Sequence, residues 1–134
     1  LPLEEIAYEK DLEYSDKEII FTNLVDTDML FGHRNDPTGY GKAIEEIDEY
    51  LTPILEALKE DDMLIITADH GCDPCVEGTD HTREDVPLIC YYKGINGKIM
   101  PVMESFTVIS STILENFGLD KVSKYPGFLK LLED

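Results

Sequence analysis

Apolar residues in this chain fall into short continuous runs and one long stretch with a spacing of three and four. Loops rich in aspartate, glycine and histidine separate them. The run Glu18-Ile-Ile-Phe-Thr-Asn-Leu-Val-Asp26 is β-branched and mostly apolar, which predicts a buried strand closed by an acid. Asp28 to Pro37, with Gly32 inside it, reads as a loop. From about Thr38 to Glu60 the apolar positions Ile44, Ile47, Leu51, Ile54, Leu55 and Leu58 predict an amphipathic helix facing a sheet. Pro53 lacks a backbone donor, so that helix is expected to kink or split near Thr52. Met63 to Ala68 is a second short apolar run, followed by Asp69-His70-Gly71, and Val86 to Tyr92 is a third. Gly94 to Pro101 suggests a turn and a short hairpin. Ser105 is placed to cap a helix running to about Phe117 with Gly118 as its C′ residue, and Phe128 to Leu132 suggests a last short helix.

Strand, helix, strand, loop, strand and helix in this order predict an α/β domain, a mostly parallel sheet with flanking helices. Residues 1–134 are read as a single domain without repeats or an internal linker, with residues 1–17 unplaced. In open α/β sheets ligands bind beyond the carboxyl ends of the strands. Asp26 and Asp28 follow one strand end, Asp69 and His70 follow another, and the loop carrying His81 precedes a third.

Bulk properties narrow the functional classes. A chain of 134 residues with 43% hydrophobic and 30% charged residues can build a real core, which argues against disorder. The net charge of −18, from 29 acids against 11 bases, repels nucleic acid and anionic membrane, so neither is expected as a partner. No apolar run approaches the ~20 residues that span a bilayer. The start, Leu1-Pro2-Leu3-Glu4-Glu5, lacks the basic and apolar regions of a secretory signal and an initiator Met, so a piece of a longer protein is expected. Three cysteines, Cys72, Cys75 and Cys90, argue against a disulfide framework and for a reducing, cytoplasmic setting.

Three segments carry the chemistry: Asp26-Thr-Asp28-Met-Leu-Phe-Gly32-His33-Arg34, Thr67-Ala-Asp69-His70-Gly71-Cys72-Asp73-Pro74 and Gly78-Thr79-Asp80-His81-Thr82-Arg83-Glu84. Each is weak alone, because an Asp-His pair is usually a surface feature. Together they place all three histidines of the chain on strand-end loops, beside or five residues after an aspartate, a donor set suited to divalent metal. Asp28, His33, Asp69, His70 and His81 are too many ligands for one tetrahedral ion with an open position. They suit two ions about 3.5–4 Å apart, the arrangement that clamps a phosphoryl group during in-line displacement. A competing reading closes one structural zinc site with His70, Cys72, Cys75 and His81, leaving Asp28 and His33 idle. Another takes Cys72 and Cys75 as a redox pair.

At these segments the sequence resembles the phosphopentomutases of the alkaline phosphatase superfamily. The strings Phe21-Thr-Asn-Leu-Val-Asp26, Gly32-His33-Arg34, Ala68-Asp69-His70-Gly71-Cys72-Asp73-Pro74 and Thr79-Asp80-His81-Thr82-Arg83-Glu84 carry the likeness, which runs from about Phe21 to Gly118. Asp69-His70-Gly71 alone would equally fit cofactor-independent phosphoglycerate mutases. The resemblance implies a partial alkaline-phosphatase-like core with one Mn2+ held by Asp28, His33 and His81 and a second by Asp69 and His70. Mg2+, Co2+ or Zn2+ could take the same places. It implies transfer of phosphate between the C1 and C5 oxygens of ribose or 2-deoxyribose through a phosphothreonine, primed by glucose 1,6-bisphosphate, in nucleoside salvage.

The family's catalytic threonine and one further metal-binding aspartate lie near its N-terminus, ahead of a cap domain, and nothing in residues 1–20 matches either. Thr27 stands where the family more often carries an aromatic residue, and Cys75 is unusual in its loop. The chain is therefore expected to be a C-terminal part of the catalytic domain, inactive by itself. Thr67, Thr79 and Thr82 are not promoted to nucleophile. Arg34 and Arg83 are read as salt-bridging residues that orient the acidic loops, with direct phosphate contact as the functional alternative. Another phosphomutase or phosphatase of the superfamily, or a non-catalytic metal-binding domain, are the alternative functions. A truncated sheet would expose an edge, so self-association is expected.

Overall fold

A computed structural model describes residues 17–132. The described residues cluster into two compact units, one of residues 17–20 and 95–132 and the other Phe21–Gly94. Residues 1–16, unplaced by the sequence reading, lie outside the described residues.

In the unit Phe21–Gly94, the segment Thr27–Gly32 forms a π-helical turn where a loop is expected. Helix α1, Pro37–Ala57, begins where its sequence says it should. The Asp36 carboxylate accepts from the Gly39 N–H at 2.9 Å, and Pro37 occupies the first turn, where its missing N–H costs nothing. The helix continues through Pro53 instead of splitting, and the Leu58 N–H donates to the Ile54 carbonyl at its end. Among the described elements α1 packs on Thr27–Gly32, not on the strands, burying Ala43 while Ile44 and Ile54 stay exposed.

Strands β1, Met63–Thr67, and β2, Leu88–Tyr92, form the sheet of the described residues. They pair antiparallel, from Met63 opposite Tyr92 to Thr67 opposite Leu88, which corrects the expected parallel direction while leaving the α/β class in place. A parallel pair needs a crossover, usually helical, between its strands. Residues 68–87 instead fold back on themselves through turns and an isolated antiparallel bridge between Gly71 and Thr82. The consequence favours the site: β1 ends and β2 begins at the same end of the ladder, so Asp69, His70 and His81 all belong to the connection at that end.

The expected strand over Glu18 to Asp26 is absent. Its residues 18–25 have no regular structure, and Phe21 is 84% exposed. A strand needs a ladder partner, and no described strand pairs with this run.

In the unit containing residues 95–132, helix α2 spans Thr107–Asn116 and α3 spans Leu129–Leu132. Gly118 takes φ +71° just past α2, as expected of its C′ glycine, but at the other end Phe106 and not Ser105 is the N-cap residue; Ser105 Oγ accepts from the Thr107 N–H one position further out. The core is Val108 and Phe128 with two buried hydroxyls. Thr112 Oγ1 donates to the Val108 carbonyl at 2.7 Å and accepts from the Phe128 N–H at 2.9 Å, while Ser111 Oγ donates to the Tyr125 carbonyl at 2.8 Å. These bonds hold the incoming segment against α2.

Candidate metal centre

All five expected ligands belong to the unit Phe21–Gly94. Asp28 lies in the π-helical turn and His33 caps its end, so one turn of backbone carries both. His81 comes from the loop that returns toward β2. Donor atoms of Asp28, His33 and His81 all lie within 4.8 Å of one another. Asp28 Oδ2 is 3.3 Å from His33 Nε2, and Asp28 Oδ1 is 3.5 Å from His81 Nε2. His70 joins this cluster through its ring, which stacks on that of His81 with centroids 3.6 Å apart. Its Nε2 is 3.5 Å from Oδ1 of Asp69, whose side chain is largely exposed.

The hydrogen-bond chemistry sets the direction of the lone pairs. His33 Nδ1 lies against the Thr79 carbonyl, and His70 Nδ1 is 3.0 Å from the Gly71 carbonyl. A carbonyl only accepts, so both Nδ1 atoms carry the proton and donate. A neutral ring then turns an unprotonated Nε2 toward a carboxylate oxygen, lone pair facing lone pair. That arrangement is unfavourable unless a proton or a metal cation stands between them. A ligating histidine anchored through its other nitrogen to a carbonyl is the usual second layer of a metal site. Asp28 Oδ1 adds an independent sign: it is the buried side-chain oxygen among the described residues that has no hydrogen-bond partner. Leaving such an atom unsatisfied costs ~1–3 kcal/mol, and a divalent cation would remove that cost. The residues present fit the group.

Cys72 and Tyr40 lie near enough to Asp28 and Glu84 to feel their charge. Burial pushes the Cys72 thiol up from its ordinary value, and the neighbouring negative charge of Asp28 pushes it further. The Tyr40 phenol is raised by burial first and then by Cys72, Asp28 and Glu84. The cysteines are free; Cys75 is exposed and outside the cluster, so the single-zinc reading with Cys72 and Cys75 finds no support in the grouping. Arg34 and Arg83 are exposed and form no ion pair with a carboxylate among the described residues, so the expected salt bridges are absent.

Sequence reasoning misses the residues that hold the loops. Asn35 adopts φ +50°, a conformation asparagine tolerates, and its Nδ2 donates to the Val76 carbonyl at 2.6 Å. Thr82 ties the two ends of the His70–His81 connection together. The polar string Arg34-Asn35-Asp36-Pro37 signals a turn at Asn35, but nothing in the spacing announces Thr82.

Residues 6–121 match the family model of the Metalloenzyme superfamily. The chain belongs to the Metalloenzyme superfamily. Proteins similar to it include a phosphopentomutase of Pseudoalteromonas translucida, 50% identical over 117 residues that make up 87% of this chain and 29% of the relative. A phosphopentomutase of Caldanaerobacter subterraneus subsp. tengcongensis is also 50% identical over 117 residues, 87% of this chain and 30% of the relative. The chain thus spans less than a third of the length of these curated relatives. Within this superfamily a metal cofactor is expected, and the Asp28–His33–His81 cluster is the group of described residues shaped to take one. No described helix is long and apolar enough to cross a membrane.

Proposed function

We propose that this chain supplies most of a dinuclear metal centre to a phosphopentomutase, with Asp28, His33 and His81 holding one divalent ion and Asp69 and His70 contributing to the second. The observation that carries the reading is the unpartnered Asp28 Oδ1, 3.5 Å from His81 Nε2, on a carboxylate whose other oxygen lies 3.3 Å from His33 Nε2. The 50% identity to two phosphopentomutases favours this reaction over other phosphomutase or phosphatase chemistry. Such ions, when bound, polarise phosphoryl oxygens and acidify a coordinated hydroxyl.

The chain's own residues do the rest of the work at this centre. The Thr79 and Gly71 carbonyls take the Nδ1–H of His33 and His70, which leaves Nε2 of each ring as the atom available to a metal. Arg34 and Arg83, exposed on the site loops, are proposed to meet the phosphate of the pentose substrate. The phosphoryl group would move between the C1 and C5 oxygens of ribose or deoxyribose through a phosphothreonine that none of these 134 residues provides. Mn2+ is the proposed metal, with Mg2+, Co2+ or Zn2+ as substitutes. Glucose 1,6-bisphosphate is the proposed primer, and nucleoside salvage in the cytoplasm the setting.

Calorimetric titration of the chain with Mn2+ tests the centre. Two sites are expected, with the tighter lost on His33→Ala and the weaker on Asp69→Ala. A single Zn2+ site lost on Cys75→Ser would replace this reading with a structural zinc. The chain alone is expected not to turn over ribose 1-phosphate, and enzyme-like turnover would refute the assignment of the nucleophile.

A further inference from the structure

We infer that Thr82 is a positioning residue of the metal centre, setting the geometry of all three histidines without touching a metal. This rests on the metal-centre reading above. The Thr82 N–H donates to the Gly71 carbonyl at 3.2 Å, the same oxygen that receives the His70 Nδ1 proton at 3.0 Å. The direction of that carbonyl, and with it the tilt of the His70 ring, follows where Thr82 stands. The Thr82 hydroxyl accepts from the Asp73 N–H at 2.6 Å and donates to a Glu84 carboxylate oxygen. One hydroxyl thereby uses its acceptor and donor capacity to tie the start of the connection to its end.

His81 is the residue immediately before Thr82, and the Thr79 carbonyl that holds His33 lies three residues before it. The closeness of the two strands is built in at Gly71. A Cβ there would fall 2.6 Å from a Glu84 carboxylate oxygen, 2.7 Å from the Glu84 nitrogen and 2.8 Å from the Thr82 carbonyl. The connection is therefore clamped at Gly71–Thr82, with the hydroxyl as the closing contact, and slack at this point would displace His70, His81 and the anchor of His33 together.

Thr82→Val keeps the β-branched shape and the backbone bond while deleting the hydroxyl. Mn2+ titration and the Mn2+ paramagnetic resonance spectrum are read on the full chain, with the melting temperature of the metal-free protein as the fold control. The expected result is a ~10–100-fold weaker Mn2+ affinity at both sites, the range typical of lost outer-layer partners. Thr82→Ser is expected to restore both affinity and spectrum. Glu84→Ala, an exposed change that removes the acceptor aiming the hydroxyl, is expected to weaken binding in the same direction if the valine variant melts too low to titrate. Unchanged affinity in Thr82→Val or Glu84→Ala, or failure of serine to rescue, overturns the inference. Wild-type protein that takes up no Mn2+ overturns the metal centre itself.

Discussion

The imidazole of His81 lies nearly parallel to that of His70, the planes inclined by 17° at a centroid distance of 3.6 Å. In the proposed centre these rings serve different ions, so the loss of either ring disturbs both. The expected outcome is non-additive: the Mn2+ binding losses of His70→Ala and His81→Ala should differ from that of the double variant by ~0.5–3 kcal/mol. Titration of the three variants measures the coupling, and strict additivity would refute it.

Asp28 makes opposing demands on the metal-free and metal-bound protein. Asp28→Asn replaces a carboxylate oxygen with an amide donor able to meet a histidine lone pair. The metal-free variant should gain about 1 kcal/mol of stability, roughly the worth of one hydrogen bond. It should also lose the stabilisation that Mn2+ gives the wild type, which is ~2.7 kcal/mol at a hundredfold excess over Kd. Thermal melts with and without Mn2+ would show the melting temperatures crossing.

Thiol chemistry separates the cysteines by environment. Burial raises the Cys90 thiol above its ordinary value, so at a given pH a smaller fraction is thiolate. Burial and the Asp28 charge act the same way on Cys72. Cys75, exposed on its loop, should be alkylated first at pH 8, with Cys90 and Cys72 gaining rate only as the pH climbs. Mass spectrometry of iodoacetamide labelling over time reads the order, and equal rates at all three would contradict it.

Thr112 bridges Val108 and Phe128 inside the second unit. Thr112→Val preserves volume but leaves the buried Phe128 N–H without its acceptor, which should cost ~1–3 kcal/mol. The denaturant midpoint should fall accordingly, while Mn2+ titration remains as in the wild type, since no residue of the metal cluster belongs to this unit.

Much of the site is legible in the sequence because its residues are chemically rare. Three histidines beside or five residues after an aspartate point to a metal before any coordinate is seen, and Asp28, His33 and His81 do converge. The apolar spacing places the α1 start within a residue, while the local signals that fix it, Asp36 and Pro37, go unread in a stretch taken for loop. Strand direction is not local. The apolar runs Met63–Ala68 and Val86–Tyr92 read the same whichever way they pair, and the antiparallel outcome comes from the turns between them. Ile19 to Val25 has the composition of a strand but lacks a ladder partner among the described residues. Thr82 and Asn35 escape notice because a hydroxyl or amide declares its partner only in space.

The scarcity of buried apolar side chains carries a thermodynamic consequence. Among the described residues only Ala43, Val108 and Phe128 form the buried apolar core, while Ile20, Phe21, Ile99, Val102 and Val122 are already largely exposed. The heat-capacity increment of unfolding tracks the apolar surface newly hydrated, ordinarily ~12–15 cal/mol/K per residue. Here much of that surface is hydrated beforehand, so the increment of these residues is expected to fall short of this value and the stability curve to flatten. A chain with so shallow a curve is expected to lose little stability on cooling and to show a broad, weakly endothermic calorimetric transition.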